Sequence, residues 1–368
     1  MGHPPDPRIS HRIVRDDLEA LLRVTLVPGI GPLSQQKLLQ AFNGPQGVLR
    51  ARTADVQRVV EPEVAAALAR GADPALVTRT LAWAGRPDRH VVVVGDAQYP
   101  EALMQIDVPP TMFYAIGDPA WLSKPAFAIV GSRNATRHGL EDAQEFSRAL
   151  AQVGLTIVSG LAHGVDAAAH RGALDAAGST IAVMGTGPDR IYPRANAALA
   201  TDIAERGCLV TEFPLGTHAA ALNFPRRNRL ISGLAKAVLV VQAAQESGSL
   251  ITARYAAHQG RDVFAIPGSI HSPLSKGCHK LIKEGAKLVD GVDDILSELG
   301  LATTEPRPTR APAPNDPLLE AMGLDPVTLD ELIARVGAGP ASVAAHLSAL
   351  EIEGRVSVLP GGRFQAAL

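Results

Sequence analysis

A chain of 368 residues that is 46% hydrophobic and 20% charged can bury one large core plus one or two satellite domains, which excludes a disordered protein. A net charge of −2 and a pI of about 6.6 exclude a whole-molecule field that attracts nucleic acid, so any such affinity must come from a local basic cluster. The best apolar run, Ala235 to Ala244, contains Lys236 and Gln242 and falls short of the about 18 apolar residues that span a bilayer, so no membrane partner is expected. The Pro-rich start has no apolar stretch that would serve as a signal peptide. Cys208 and Cys278 lack the spacing of a zinc or redox motif and read as buried small hydrophobes, so a reducing, cytoplasmic setting is expected.

In chain order, residues 14–85 read as a small helical domain of short Leu-, Ala- and Val-rich helices. Its informative segment is Leu26-Val-Pro-Gly-Ile-Gly-Pro-Leu, which ends one helix and opens another from Ser34 to Phe42, a helix-hairpin-helix-like pattern. Such a turn either offers backbone N–H groups to a DNA phosphate or uses Gly29 and Gly31 for unusual backbone angles in helix packing.

From 88 to 300, short apolar runs close on glycine and alternate with helical stretches. The expected strands are Val91 to Val94, Phe127 to Val130, Thr156 to Val158, Ile181 to Met184, Leu209 to Thr211, Ala237 to Val241 and Val263 to Ile266. This alternation implies a mostly parallel, doubly wound α/β sheet covered on both faces. Ligands of such sheets bind beyond the carboxyl ends of the strands, where this chain concentrates glycine, arginine and asparagine.

Residues 302–315 hold four prolines and form an extended linker by composition. Residues 316–368 follow with three helices and a hairpin around Pro360-Gly-Gly, the pattern of a winged helix. This tail has seven Asp/Glu and three Arg/Lys, a balance that favours a protein contact or spacer role over reading of duplex DNA.

Five segments carry the chemistry. After the strand ending at Val130, Gly131, Ser132 and Arg133 run into a helix capped near Thr136, a turn suited to a phosphodiester. Asp166 and His170, four apart on one helix face, are conceivable as a metal or acid/base pair; with no third ligand at a recognisable spacing they read better as a loop brace. The loop from Gly185 brings Arg190, Tyr192, Arg194 and Asn196 together, a mixture that suits a single strand or packs Tyr192 and Pro193 on a helix. Asn223-Phe-Pro-Arg-Arg-Asn-Arg is the densest basic cluster: Arg226, Arg227 and Arg229 beside Phe224, with Pro225 in a first helical turn. Ser247, Gly248 and Ser249 open another anion-ready turn, and Lys276 extends the basic rim. His279 and Lys280 fit the same rim, and His279 with Ile282 and Leu288 fits a subunit contact equally well.

These motifs, in this order, resemble the DNA-processing protein A (DprA/Smf) family: the Gly-Ser-Arg turn, Ser-Gly-Leu-Ala-x-x-Gly-Val-Asp, Tyr-Pro-x-x-Asn, Asn-Phe-Pro-x-Arg-Asn-Arg and Ser-Gly-Ser-Leu-Ile-Thr. The upstream Tyr99-Pro and Asp107-Val-Pro-Pro belong to the same pattern. The resemblance is strong over about 99 to 290; the flanking domains match by layout only, the first as a SAM or helix-hairpin-helix-like unit. It implies an extended Rossmann-like domain that dimerises, binds single-stranded DNA without sequence preference and loads the RecA recombinase in natural transformation. Arg133, Asn223, Phe224, Arg226, Arg227 and Arg229 carry over as DNA-site residues. No enzyme activity, cofactor or metal is implied.

The competing expectation is a nucleotide-cleaving phosphoribohydrolase, whose core is similar. Its Pro-Gly-Gly-x-Gly-Thr-x-x-Glu signature is missing, and the Pro-Gly-Gly at Pro360 lies in the tail. A dinucleotide fold would need Gly-x-Gly-x-x-Gly, which the segment from Gly185 breaks at its third glycine.

Overall fold

The computed structural model describes residues 17–176, 178–301, 316–323, 325–353 and 355–366; the Pro-rich linker and the start of the chain lie outside them. Its centre is a nine-stranded sheet. The strands are β1 (Arg89–Val93), β2 (Met112–Gly117), β3 (Ala126–Val130), β4 (Thr156–Ser159), β5 (Thr180–Val183), β6 (Cys208–Thr211), β7 (Ala237–Val240), β8 (Asp262–Ala265) and β9 (Lys287–Leu288). They lie in the order β1-β2-β6-β5-β4-β3-β7-β8-β9.

From β6 to β9 every pairing is parallel, and β3, β4, β5, β6, β7 and β8 are apolar runs closed on both sides by helices. The chain steps outward from β3 through β4 and β5 to β6, then returns to lay β7 on the other flank of β3. The strand order therefore reverses between β3 and β7, the place where such sheets open a crevice at their carboxyl edge.

Two strands of this sheet were not anticipated. β2 is buried on both faces and pairs antiparallel with β1 and with β6, extending the parallel core by an antiparallel flap. Its sequence, Met-Phe-Tyr-Ala-Ile-Gly, lacks the alternation that marks a half-buried strand, and buried runs this short are ambiguous. The other, β9, is only two residues long.

One face of the sheet packs the helices Asn223–Leu234 and Ser249–His258 around Phe113, Ala128, Val183 and Val240. The opposite face packs Arg137–Gln152 and Val165–Asp175 around Phe127, Ile129, Ile157 and Leu239. The N-terminal helices between Leu18 and Ala84 close over β1, β2 and β5, where the Trp83 and Tyr114 rings meet edge to face at 5.5 Å. The second helix begins at Pro32 rather than Ser34, because proline fills a first-turn position whose N–H needs no partner. The Gln36 amide donates to the Pro109 carbonyl at 2.6 Å, tying this domain to the loop before β2.

The C-terminal segment has its own core around Leu318, Leu332, Leu347 and Val356. Its three-stranded sheet joins β10 (Val327–Thr328), β11 (Val356–Leu359) and β12 (Arg363–Ala366) in the order β10-β12-β11.

Candidate nucleic-acid interface

At the reversal point the ends of β3 and β7 open a cleft of about 750 Å³. Its walls include Gly131, Ser132, Arg133, Phe224, Arg227 and the turn Ser247, Gly248, Ser249, with Tyr192 at one side and Asp166 deep within. Gly131 is required by packing: a Cβ there would come within 2.7 Å of the Val165 side chain. The backbone of the Gly-Ser-Arg turn can thus lie directly against the start of the helix Val165–Asp175.

Arg133 is exposed, and among the described residues it has no ion-pair partner. Its guanidinium lies 5.5 Å from the centre of the Phe224 ring, a cation–π contact. Tyr192, half exposed, approaches the same ring at 5.6 Å with a 41° tilt. Phe224 sits in this position because Gly185 leaves room, a Cβ there falling within 2.8 Å of the ring. A half-buried aromatic ring beside a free guanidinium offers stacking and charge together, the two elements of single-strand recognition.

The three arginines of the basic cluster do not act together. The helix opens at Asn223, so Arg226, Arg227 and Arg229 point in different directions. Arg227 is buried; its guanidinium donates to the Gly160 carbonyl at 2.6 Å, to the Val183 carbonyl, and to the Asn228 side chain at 3.0 Å. Burial pulls its pKa down to about 10, against the attraction of Asp166 and with a push from Arg133. It remains charged near neutral pH and contributes a field under the cleft, but its donors belong to the sheet. Arg229 is locked in an ion pair with Glu212 and donates to the Val108 carbonyl at 2.9 Å. Arg226 alone of the three is exposed, over the Phe213 ring at 6.0 Å.

Five further expected contact residues are already engaged. Thr136 caps its helix by accepting from Gly139 N–H at 3.2 Å, and its hydroxyl takes a second bond from Gln242 at 2.9 Å. Asn196 donates to the Leu161 and Ala162 carbonyls at 2.9 and 3.1 Å. Asn223 donates to the Gly185 and His218 carbonyls, both at 3.2 Å. The Ser247 and Ser249 hydroxyls bond each other at 2.7 Å, leaving Gly248 as the exposed member of that turn. Arg190, Arg194 and Lys276 are exposed outside the cleft, Arg190 within 3.8 Å of Asp189. Gln242, missed by sequence reasoning, links the end of β7 to the Thr136 cap; its only signal was a polar residue directly after an apolar strand.

Asp166 and His170 brace a loop. Leu161 holds a left-handed backbone at φ 60°, a conformation disfavoured for leucine. The loop is pinned by His170 Nε2 accepting from Leu161 N–H at 3.3 Å, by Asp166 accepting from Ala162 N–H at 3.3 Å, and by Asn196. Burial raises the Asp166 carboxyl above its usual range, opposed by Arg227. Among the described residues no group of three or more His, Cys, Asp or Glu side chains forms a metal site.

Burial first, then Arg227 and Arg171, lowers the His170 pKa from 6.5 to about 3. The unfolded chain therefore binds a proton that the folded one refuses, and the stability this neutral imidazole confers above pH 6.5 is lost as pH falls toward 3. Denaturant titrations across that window should show wild type losing up to about 1.4 kcal/mol per pH unit more than His170→Asn. Equal slopes for the two would contradict a buried neutral histidine.

The model of DNA recombination-mediator protein A matches residues 90–300. The chain belongs to that family. A second model, the DprA winged helix domain, matches residues 301–362. Among the chain's relatives, Protein Smf of Escherichia coli is 40% identical over 298 residues, covering 78% of this chain and 80% of the relative. DNA processing protein DprA of Streptococcus pneumoniae is 47% identical over 204 residues, 55% of this chain and 72% of the relative. The X-ray structure of the Streptococcus pneumoniae protein superposes with a TM-score of 0.67 at 35% identity, over 78% of this chain and 98% of that one. DNA processing protein A from Helicobacter pylori, solved for its single-stranded DNA binding mode, gives a TM-score of 0.53 at 30% identity, over 57% of this chain and 95% of that one.

Proposed function

We propose that this protein binds single-stranded DNA without sequence preference and acts as a recombination mediator, loading the RecA recombinase onto the strand during natural transformation. The observation that carries the reading is Arg133, exposed and without an ion-pair partner among the described residues, poised over the Phe224 ring where the strand order reverses. A free guanidinium takes a phosphate in a bidentate fork, and the ring takes a base of any identity because every base has a π-face. The relation to the Helicobacter pylori protein supports the same ligand.

The strand contacts assigned on this reading are Gly131, Ser132, Arg133, Phe224, Arg226 and Gly248. Arg190, Arg194 and Lys276 are outlying cations along the same sheet edge. Arg227, Arg229, Asn196, Asn223, Thr136, Ser247 and Ser249 shape the cleft through the bonds described above.

The protein works as a homodimer on this reading. Leu288 is 52% exposed on β9, the last strand of the sheet, a margin that a second copy would cover. The expected setting is the cytoplasm; among the described residues no helix is long and apolar enough to cross a membrane. The acidic winged helix is assigned to protein contact.

Fluorescence anisotropy with a labelled thymidine homopolymer tests the strand reading. Each phosphate contact contributes a slope near −0.7 in log affinity against log salt, so Arg133→Ala should flatten the dependence by about 0.7. An unchanged slope would remove Arg133 from the interface. The competing role as a nucleotide-cleaving enzyme predicts free base on incubation with nucleoside monophosphates, and its appearance would overturn the binding-only reading.

A further inference from the structure

A hydrogen bond joins the winged helix to the mouth of the cleft: Arg137 Nη1 donates to Ser357 Oγ at 2.6 Å, across 220 positions of chain. Arg137 opens the helix Arg137–Gln152 directly after the Thr136 cap, four positions beyond Arg133. The Thr136 backbone N–H donates to Gln242 Oε1 at 2.9 Å, which fastens this helix start to the carboxyl end of β7, one lip of the cleft. Ser357 is the second residue of β11, so the contact brings the β11–β12 hairpin against that lip.

The Arg137 guanidinium is oriented for this contact. Its Nε donates to Glu141 Oε1 at 2.9 Å, one helical turn on, which leaves Nη1 for the serine. A cation in the first turn of a helix opposes the helix dipole, so Arg137 is not placed there to stabilise its own helix. The charge of the docked domain fits the same place. Residues 316–368 carry seven Asp/Glu against three Arg/Lys, whereas the cleft is lined by Arg133, Arg227 and the start of the helix Ser249–His258. An acidic body seated at that lip is attracted by the cleft and repels the phosphates of an approaching strand. The attachment is light. The domain has its own core, its tether is the Pro-rich segment 302–315, and one net hydrogen bond shifts an equilibrium only several-fold.

We propose that the winged helix is an autoinhibitory gate: docked through Ser357 on Arg137 it obstructs the cleft, and a bound single strand displaces it and takes over Arg137 as a further phosphate contact. The inference rests on the single-strand reading above. Domain and strand compete for one guanidinium, so the apparent Kd is the intrinsic one divided by the undocked fraction.

The test uses the full chain with cysteines at both ends of the contact, Arg137→Cys with Ser357→Cys, joined by a short bis-maleimide; the native Cys208 and Cys278 are buried. The linked form should bind a labelled thymidine homopolymer at least roughly ten-fold more weakly than the same protein capped with N-ethylmaleimide, because its undocked fraction is abolished. Ser357→Ala, which weakens only the docked state, should bind roughly two- to ten-fold tighter than wild type. In Ser357→Cys alone, a near-isosteric change that keeps the test open should the double variant fail to fold, alkylation should accelerate when the homopolymer is added. A pair that does not cross-link, a linked form that binds as well as the capped one, or an alkylation rate indifferent to the strand overturns the gate. Any of these with wild-type binding intact sinks the gate alone; wild type that binds no homopolymer sinks the single-strand reading and the gate with it.

Discussion

Arg229→Ala is expected to lower the free energy of unfolding by about 3–5 kcal/mol, because it strands a buried carboxylate. The Arg229 and Glu212 side chains are only 15% and 10% exposed, and the guanidinium also holds the Val108 carbonyl. Burial already raises the Glu212 pKa above its ordinary 4.5, held in check by Arg229 and then Arg226. Without Arg229 the folded protein retains that proton to higher pH than the unfolded chain does. The folded state then binds more protons, so its stability falls as pH rises through and above the ordinary carboxyl range. The loss should therefore be small in acid and grow toward neutral pH in urea titrations. Replacing both partners with apolar residues, Glu212→Leu with Arg229→Met, should recover most of it. The salt slope of DNA binding should stay the same in Arg229→Ala; a flatter slope would return Arg229 to the strand interface.

Phe224→Ala should weaken single-strand binding by about 1–3 kcal/mol, the range found when a base loses its aromatic platform. That corresponds to roughly five- to 150-fold in Kd. The ring is neutral, so the salt dependence should be retained, which separates this variant from Arg133→Ala. Phe224→Trp should keep affinity if the pocket beside Gly185 admits the larger ring, and thermal melting of both variants would report any cost in packing. An alanine variant with wild-type affinity would show that the ring serves only to support Arg133 and Tyr192.

The chain alone made the parallel core legible. Runs such as Phe127 to Val130 and Ala237 to Val241, each ending at a turn signal and followed by a helix, are local patterns whose physics operates within a few residues. The same holds for the Thr136 cap and the Gly-Ser-Arg turn, and the ordered motifs were specific enough to point to the family. β2 escaped because it breaks the strand-then-helix repeat that revealed the others: it runs into the short turn Pro119–Ser123 and then directly into β3.

Only the tertiary structure decided which arginines are free. Arg226, Arg227 and Arg229 look equivalent in sequence, but a helix turns them about 100° per residue in different directions. The partners that absorb two of them come from far along the chain: Gly160 lies 67 positions from Arg227, and Val108 lies 121 from Arg229. Whether a guanidinium meets a phosphate or a carbonyl of its own sheet depends on which strands the crossovers bring beside it, and no local pattern encodes that.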